Sequence, residues 1–117
     1  DVAMSSDGSK QIAIAGSSTA IFLSTDFGNT WTQKGSVDGY SALAISSDGT
    51  KMTAVTAKVS INDLGVLYVS TDSGNTWNIK NQDQNWYGVD MSSDGRVQAA
   101  VTDPFFNNIG KIFFSFS

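Results

Sequence analysis

The sequence has no cysteine, no histidine and no glutamate, and these three absences exclude several kinds of chemistry. A chain without cysteine and histidine forms no disulfide, no thiolate nucleophile and no Cys/His zinc site, and it has no histidine general base. All 11 acidic residues are therefore aspartates. On this basis we predict neither a bound metal nor a cofactor.

Positive charge is also scarce, because lysine and arginine total 7 of 117 residues and the net charge is −4. Surfaces that bind nucleic acids or anionic membranes need clustered Lys and Arg, so we expect no nucleic-acid partner. No apolar run approaches the length of a membrane span, and we expect no membrane insertion. A surface rich in Ser, Thr, Asn, Gln and Gly favours an extracellular or cell-surface location.

One motif, an apolar stretch followed by Ser-Ser-Asp-Gly, occurs three times. Its first serines are Ser5, Ser46 and Ser92, so the spacings are 41 and 46 residues. This period matches a four-stranded propeller blade. The segments between the motifs alternate at period two, as in 12–15 and 66–69, and lack helical periodicity. The sequence therefore predicts an all-β fold made of β-propeller blades.

The repeat divides a single segment, 1–117, into about three blades. Blade 1 covers about 1–39, blade 2 about 40–85, and blade 3 about 86–117. The strands predicted for blades 2 and 3 lie at 40–46, 51–57, 65–71, 76–80, 87–92, 96–102 and 110–117. Blade 1 follows the plan of blade 2, and blade 3 lacks its outer strand, which gives eleven antiparallel strands.

A polar octapeptide follows the third strand of blades 1 and 2. It reads STDFGNTW at 24–31 and STDSGNTW at 70–77. The aspartate can accept hydrogen bonds from its own turn, and the glycine can adopt a conformation that a Cβ disfavours. Trp31 and Trp77 are predicted to begin the outer strands and to bury a large area against the neighbouring sheet. A third octapeptide is expected to start where the sequence stops, at 115–117.

Both octapeptides resemble the Asp-box, Ser-x-Asp-x-Gly-x-Thr-Trp, of sialidase-type or neuraminidase repeats. The matching residues are Ser24, Asp26, Gly28, Thr30 and Trp31, and Ser70, Asp72, Gly74, Thr76 and Trp77. The resemblance implies a β-propeller in which these loops have a structural role, on the face away from the binding site. A calcium loop is the competing interpretation, but one carboxylate per loop is too few for a tight site.

Sialidase activity does not follow from the resemblance. Such enzymes clamp the substrate carboxylate with three arginines and use a tyrosine paired with a glutamate. This chain has Arg96 alone and no glutamate. A glycosidase using two aspartates needs free carboxylates, and most aspartates here fall in predicted turns. We therefore predict no catalytic residues.

The irregular segments are predicted on the face opposite the octapeptides, where repeat proteins often bind. Segments 81–87 and 103–108 are expected to lie close together in blade 3. Aromatic rings edged by Asp and Asn suit a sugar or a protein contact. The candidate contact residues are Asp83, Asn85, Trp86, Tyr87, Asp103, Phe105, Phe106 and Asn107.

Core packing is the alternative role for the same aromatic residues. Trp86 and Tyr87 align with Gly39 and Tyr40, which lead into an inner strand, so at least one is expected to pack between blades. Three blades do not close a ring, because propellers typically have four to eight. The partners expected are further blades of the same protein or other copies of the chain.

Three functions remain open at this point. The first is a non-catalytic extracellular module that binds a glycan or a protein. The second is a structural or assembly repeat of a larger propeller or filament. The third is part of a propeller glycoside hydrolase whose catalytic residues lie elsewhere.

Overall fold

The computed structural model describes residues 1–15, 20–34, 39–57, 62, 65–82, 84–103 and 112–116. Within these ranges the regular structure is entirely β. The eleven strands are β1 (Val2–Met4), β2 (Gln11–Ala15), β3 (Ala20–Ser24), β4 (Thr32–Gln33), β5 (Tyr40–Ile45), β6 (Met52–Thr56), β7 (Val66–Ser70), β8 (Asn78–Gln82), β9 (Trp86–Met91), β10 (Val97–Thr102) and β11 (Ile112–Phe116). No helix in these ranges is long and apolar enough to cross a membrane.

The strands form three antiparallel meanders in chain order. Blade 1 is the sheet β1-β2-β3-β4, blade 2 is β5-β6-β7-β8, and blade 3 is β9-β10-β11. The prediction of eleven strands is confirmed, with strand bounds shifted by one or two residues. The largest shift among those in blade 2 is at β8, which begins at Asn78 rather than at 76 because the octapeptide loop continues through Trp77.

The strand register defines which residues are equivalent between blades. Gln11 pairs with Ser24 in blade 1, and Gln98 pairs with Ser115 in blade 3. Met52 and Ser70 form the same pair in blade 2. Ser115 is therefore the counterpart of the first octapeptide serine, and the sequence has Ser117 where the octapeptides have aspartate.

The register also corrects the predicted alignment of the aromatic pair in blade 3. Trp86 pairs with Thr102 just as Tyr40 pairs with Thr56, so Trp86 is the counterpart of Tyr40 and not of Gly39. The pairing shifts beside both positions, and Tyr87 is the extra residue of a β-bulge. A β-bulge changes the direction in which the following side chains point. A one-residue error in alignment therefore assigns the rings of Trp86 and Tyr87 to the wrong faces of the sheet.

The core lies between the blades. One cluster joins blades 1 and 2, and its buried members are Ile12, Ile21, Leu23, Tyr40, Leu43, Met52 and Ala54. A second joins blades 2 and 3 through Ala42, Val55, Trp86 and Ala100. Every residue of β6 is buried, because blade 2 has a neighbour on both sides. Each blade thus buries its apolar faces only where another blade packs against it.

Candidate functional site

The Ser-Ser-Asp-Gly turns are closed by hydrogen bonds within each turn. In blade 1, the Ser5 hydroxyl donates to Asp7 Oδ1 at 2.8 Å, and the Ser9 amide donates to the same oxygen at 3.0 Å. The Gly8 amide donates to the Ser5 carbonyl at 3.0 Å, and Gly8 has φ +74°. Glycine suits this left-handed conformation because it has no Cβ.

The same bonds recur in the other two turns. Ser46 Oγ donates to Asp48 Oδ1 at 2.7 Å, and Ser92 Oγ donates to Asp94 Oδ1 at 2.7 Å. Backbone and hydroxyl donors that stabilise the charged form lower the pKa of Asp7 and Asp48 to about 2 and also lower that of Asp94. These three carboxylates have a structural role in their own turns.

The octapeptide loops have a second, equally closed network. In blade 2, Ser70 Oγ donates to Asp72 Oδ1 at 2.8 Å, while the amide and hydroxyl of Thr76 donate to its two carboxylate oxygens at 2.9 and 2.5 Å. The Gly74 amide donates to Ser70 Oγ at 2.9 Å, and Trp77 Nε1 donates to the Gly74 carbonyl at 3.0 Å.

The loop in blade 1 repeats this network. Asp26 accepts hydrogen bonds from Ser24 Oγ at 2.8 Å and from the Thr30 amide at 2.8 Å. The hydroxyl and amide of Thr76 lower the pKa of Asp72 to about 2, and those of Thr30 lower the pKa of Asp26. Among the described residues, no group of three Asp side chains is placed to hold a metal ion.

The turns and the octapeptide loops lie on one face of the molecule, as the strand order predicts. The Phe27 amide donates to the Ser9 carbonyl at 3.2 Å, and the Ser73 amide donates to the Thr50 carbonyl at 2.9 Å. Phe27 and Ser73 both have φ 61°. In blades 1 and 2, the turn and the octapeptide loop are therefore joined directly by a backbone hydrogen bond.

A backbone ladder joins the three turns. The Ser6 amide of blade 1 donates to the Ser47 carbonyl of blade 2 at 2.8 Å, and the Ser47 amide donates to the Ser93 carbonyl of blade 3 at 2.7 Å. The donor always belongs to one blade and the acceptor to the next blade along the chain. The repeated turns thus contribute backbone hydrogen bonds between neighbouring blades.

Lysine side chains add a second link in the same direction. Lys10 Nζ donates to the Asp48 carbonyl at 3.2 Å and to Ser73 Oγ at 3.2 Å, so it reaches both the turn and the octapeptide loop of blade 2. Lys51 Nζ donates to the Asp94 carbonyl of blade 3 at 2.8 Å. The aliphatic stem of Lys10 covers Gly49, where an added Cβ would lie 2.5 Å from Lys10 Cδ.

The two octapeptide tryptophans do not have the same burial. Trp77 is half-buried and packs on the cluster between blades 1 and 2. Trp31 is 40% exposed, so the expectation that it buries a large area is wrong for this residue. The physical reason is that Trp77 packs on a cluster shared with the preceding blade, whereas Trp31 belongs to the first of the described blades.

On the opposite face, the structure brings two of the predicted segments together. The Asp103 amide donates to the Asn85 carbonyl at 2.8 Å, Asn85 is buried, and Tyr87 is 68% exposed. Trp86 is fully buried, so it belongs to the core and not to a surface that a ligand can reach. The remaining candidates lie outside the described residues: Asp83, Phe105, Phe106 and Asn107.

No protein-family model and no curated protein matches this chain. A solved structure described as TolB from Agrobacterium tumefaciens is similar to it, with a TM-score of 0.70 and 17% sequence identity over 97% of this chain. The chain spans 41% of the length of that structure. This neighbour is a β-propeller, so the chain has a β-propeller-like fold, and an identity of 17% shows the fold alone.

Proposed function

We propose that this chain is a non-catalytic β-propeller scaffold that functions through contact with other protein blades. The ladder from Ser6 through Ser47 to Ser93 carries this proposal. In this ladder, residues of the turn that is repeated in all three blades join one blade to the next. Under this proposal the octapeptide loops are Asp-boxes with a structural role, which the bonds that Asp26 and Asp72 accept from their own loops support.

The hydrogen bonding of the carboxylates supports a non-catalytic role. A general acid needs a raised pKa, and a nucleophile needs access to substrate. Five aspartates instead accept hydrogen bonds from their own turns and have lowered pKa values: Asp7, Asp26, Asp48, Asp72 and Asp94. The scarcity of charge, 15% of residues, supports an extracellular location as part of the same proposal.

The proposal predicts that the chain has neither of two other functions, glycoside hydrolysis and glycan binding, and both can be assayed. The purified chain is assayed with chromogenic sialosides and other aryl glycosides and is applied to a glycan array. We expect neither turnover nor a bound glycan. Hydrolysis that Asp26→Asn or Asp94→Asn abolishes would contradict the proposal.

Glycan binding on the face opposite the octapeptides is the second candidate function. The 68% exposure of Tyr87, beside the hydrogen-bonded pair Asn85 and Asp103, favours it. If this candidate is right, a glycan binds the unmodified chain and not the Tyr87→Ala variant. Ile79→Ala is the matched control, because Ile79 is 55% exposed on the outer strand β8.

A further inference from the structure

The contacts that repeat at both junctions do not distinguish one blade from another. The Ser6 amide donates to the Ser47 carbonyl, and the Ser47 amide donates to the Ser93 carbonyl. A lysine of each of the first two blades also reaches a turn carbonyl of the next blade. Because the three turns share their sequence, these bonds would form equally well if blade 1 packed on blade 3. The repeated contacts therefore hold blades together without selecting the neighbour.

One side-chain contact differs between the two junctions. Between blades 2 and 3, the Thr53 hydroxyl donates to Gln98 Oε1 at 2.6 Å, and Thr53 is fully buried. Gln98 Nε2 donates to the Gly95 carbonyl of its own turn at 3.3 Å. The nitrogen of the amide is thus used within blade 3, and its oxygen is the atom that meets blade 2.

The counterparts of this pair at the junction of blades 1 and 2 are both apolar. The strand register makes Ile12 the counterpart of Thr53. It likewise makes Met52 the counterpart of Gln98. Ile12 and Met52 are fully buried in the cluster that joins blades 1 and 2. Met52 and Thr53 are consecutive in β6, so their side chains point to opposite faces of blade 2, one toward blade 1 and one toward blade 3.

Each pair is matched within itself and mismatched with the other pair. If blade 1 packed on blade 3, Ile12 would meet Gln98 and offer no donor to its Oε1. If blade 2 packed on blade 2 of another copy, the buried Thr53 hydroxyl would meet Met52 and find no oxygen acceptor. A buried polar group that loses its partner costs the full desolvation of that group. Packing in the wrong order is therefore destabilised at this position.

We propose that the pairs Ile12/Met52 and Thr53/Gln98 determine the order in which the blades pack. The inner face of blade 1 binds blade 2 in preference to blade 3, because the amide oxygen of Gln98 needs a hydroxyl donor. Repeats this similar need such a selection, since misassembly is a characteristic failure of repeat proteins. The inference rests on the proposed scaffold function and adds which neighbour each blade binds.

Disulfide trapping tests the order of packing directly, because the chain has no cysteine of its own. Ser47 lies between Ser6 and Ser93 in the ladder, so positions 6 and 93 are two steps, or about 10 Å, apart. A disulfide needs Cα atoms within about 7 Å of each other. Ser6→Cys/Ser93→Cys should therefore form a disulfide only where blade 1 packs on blade 3, whereas Ser6→Cys/Ser47→Cys reports the native order.

Both cysteine variants are refolded from urea in reducing buffer and oxidised only afterwards, and the monomer is mapped by peptide mass spectrometry. In the otherwise unmodified chain we expect a disulfide between positions 6 and 47 and almost none between 6 and 93. Adding Thr53→Ile/Gln98→Met makes both junctions apolar. The fraction linked between 6 and 93 should then rise about tenfold, because the mismatch no longer leaves a buried polar group without a partner.

Two further variants separate this selection from a general loss of stability. Thr56→Val removes a hydroxyl that accepts a hydrogen bond from the Val66 amide at 2.7 Å within blade 2. It should lower the unfolding temperature without linking positions 6 and 93. The fourfold variant Ile12→Thr/Met52→Gln/Thr53→Ile/Gln98→Met exchanges the two pairs between the junctions. It should return the fraction linked between 6 and 93 to the unmodified level.

An unchanged fraction linked between 6 and 93 in the Thr53→Ile/Gln98→Met background overturns the inference, and so does an equal rise with Thr56→Val. These two comparisons decide the matter even if the fourfold variant does not fold. A fourfold variant that folds and remains linked between 6 and 93 also contradicts the inference. Absence of the disulfide between 6 and 47 instead contradicts the ladder, and with it the proposed scaffold function.

Discussion

The two octapeptide loops have the same internal hydrogen bonds and very different surroundings. In both, the aspartate accepts hydrogen bonds from the first serine and from the threonine four residues later. Gly74 is nevertheless buried against Leu23 and Met52, whereas Gly28 is only half-buried against Gln11 of its own blade. The conformation of the loop is therefore encoded within its eight residues, and its burial depends on the preceding blade.

Substitution of the two tryptophans should show the largest difference in free energy of unfolding between the two loops. Trp77→Ala should lower the free energy of unfolding by about 2–3 kcal/mol, because it removes a ring packed between two blades. Trp31→Ala should cost about 1 kcal/mol or less, since it removes an exposed ring and one hydrogen bond to the Gly28 carbonyl. Urea unfolding of the two variants measures both losses. Equal losses would show that the preceding blade does not determine the burial of the ring.

Substitution of the two glycines should show a smaller difference in free energy of unfolding between the loops. Gly74→Ala should cost about 2 kcal/mol, in part from its left-handed φ of +81°. The remainder arises because the new Cβ would lie 3.0 Å from the buried Met52 Sδ. Gly28→Ala meets only the half-buried Gln11 side chain, which can move, so the strain at φ +84° alone should cost about 1 kcal/mol. Thermal unfolding of the two variants would contradict this ranking if Gly28→Ala were the more destabilised.

No difference between the loops is expected for the aspartates. The pKa of Asp72 is lowered from its ordinary value of 3.8 to about 2, so its contribution to stability is complete above pH 4 and is lost as the pH falls toward 2. The pKa of Asp26 is lowered by the same donors. Asp26→Asn and Asp72→Asn should therefore flatten the acid side of the stability profile equally. Unfolding measured from pH 2 to pH 6 checks this, and an effect confined to Asp72→Asn would indicate that the neighbouring blade holds the carboxylate.

The sequence predicted the repeats well because their chemistry is local. Alternating segments and two turn motifs were sufficient to place eleven strands and to put both motifs on one face. The outer strand β8 was placed two residues early, since the bond from Trp77 Nε1 to the Gly74 carbonyl keeps Trp77 within the loop. Counting six residues back from Ser46 and from Ser92 would have aligned Tyr40 with Trp86 and identified the buried ring.

Contacts between blades could not be predicted in the same way. The ladder from Ser6 to Ser47 uses backbone amides and carbonyls, which nearly every residue has, so no residue type in the sequence predicts it. The contact of Lys10 is equally hidden in the sequence, because only the structure shows that its Nζ reaches the octapeptide loop of the next blade. The candidate contact surface was therefore only partly predicted: Asn85 and Asp103 do meet, but Trp86 is buried, whereas Tyr87 is 68% exposed.

Amide hydrogen exchange at Ser6, Ser47 and Ser93, followed by NMR, tests most directly the claim that the repeated turns join the blades. We expect slow exchange at Ser6 and Ser47, whose amides donate to the next blade, and fast exchange at Ser93, whose amide donates to no next blade within the described residues. Exchange at Ser47 as fast as at Ser93 would contradict the ladder and the account built on it.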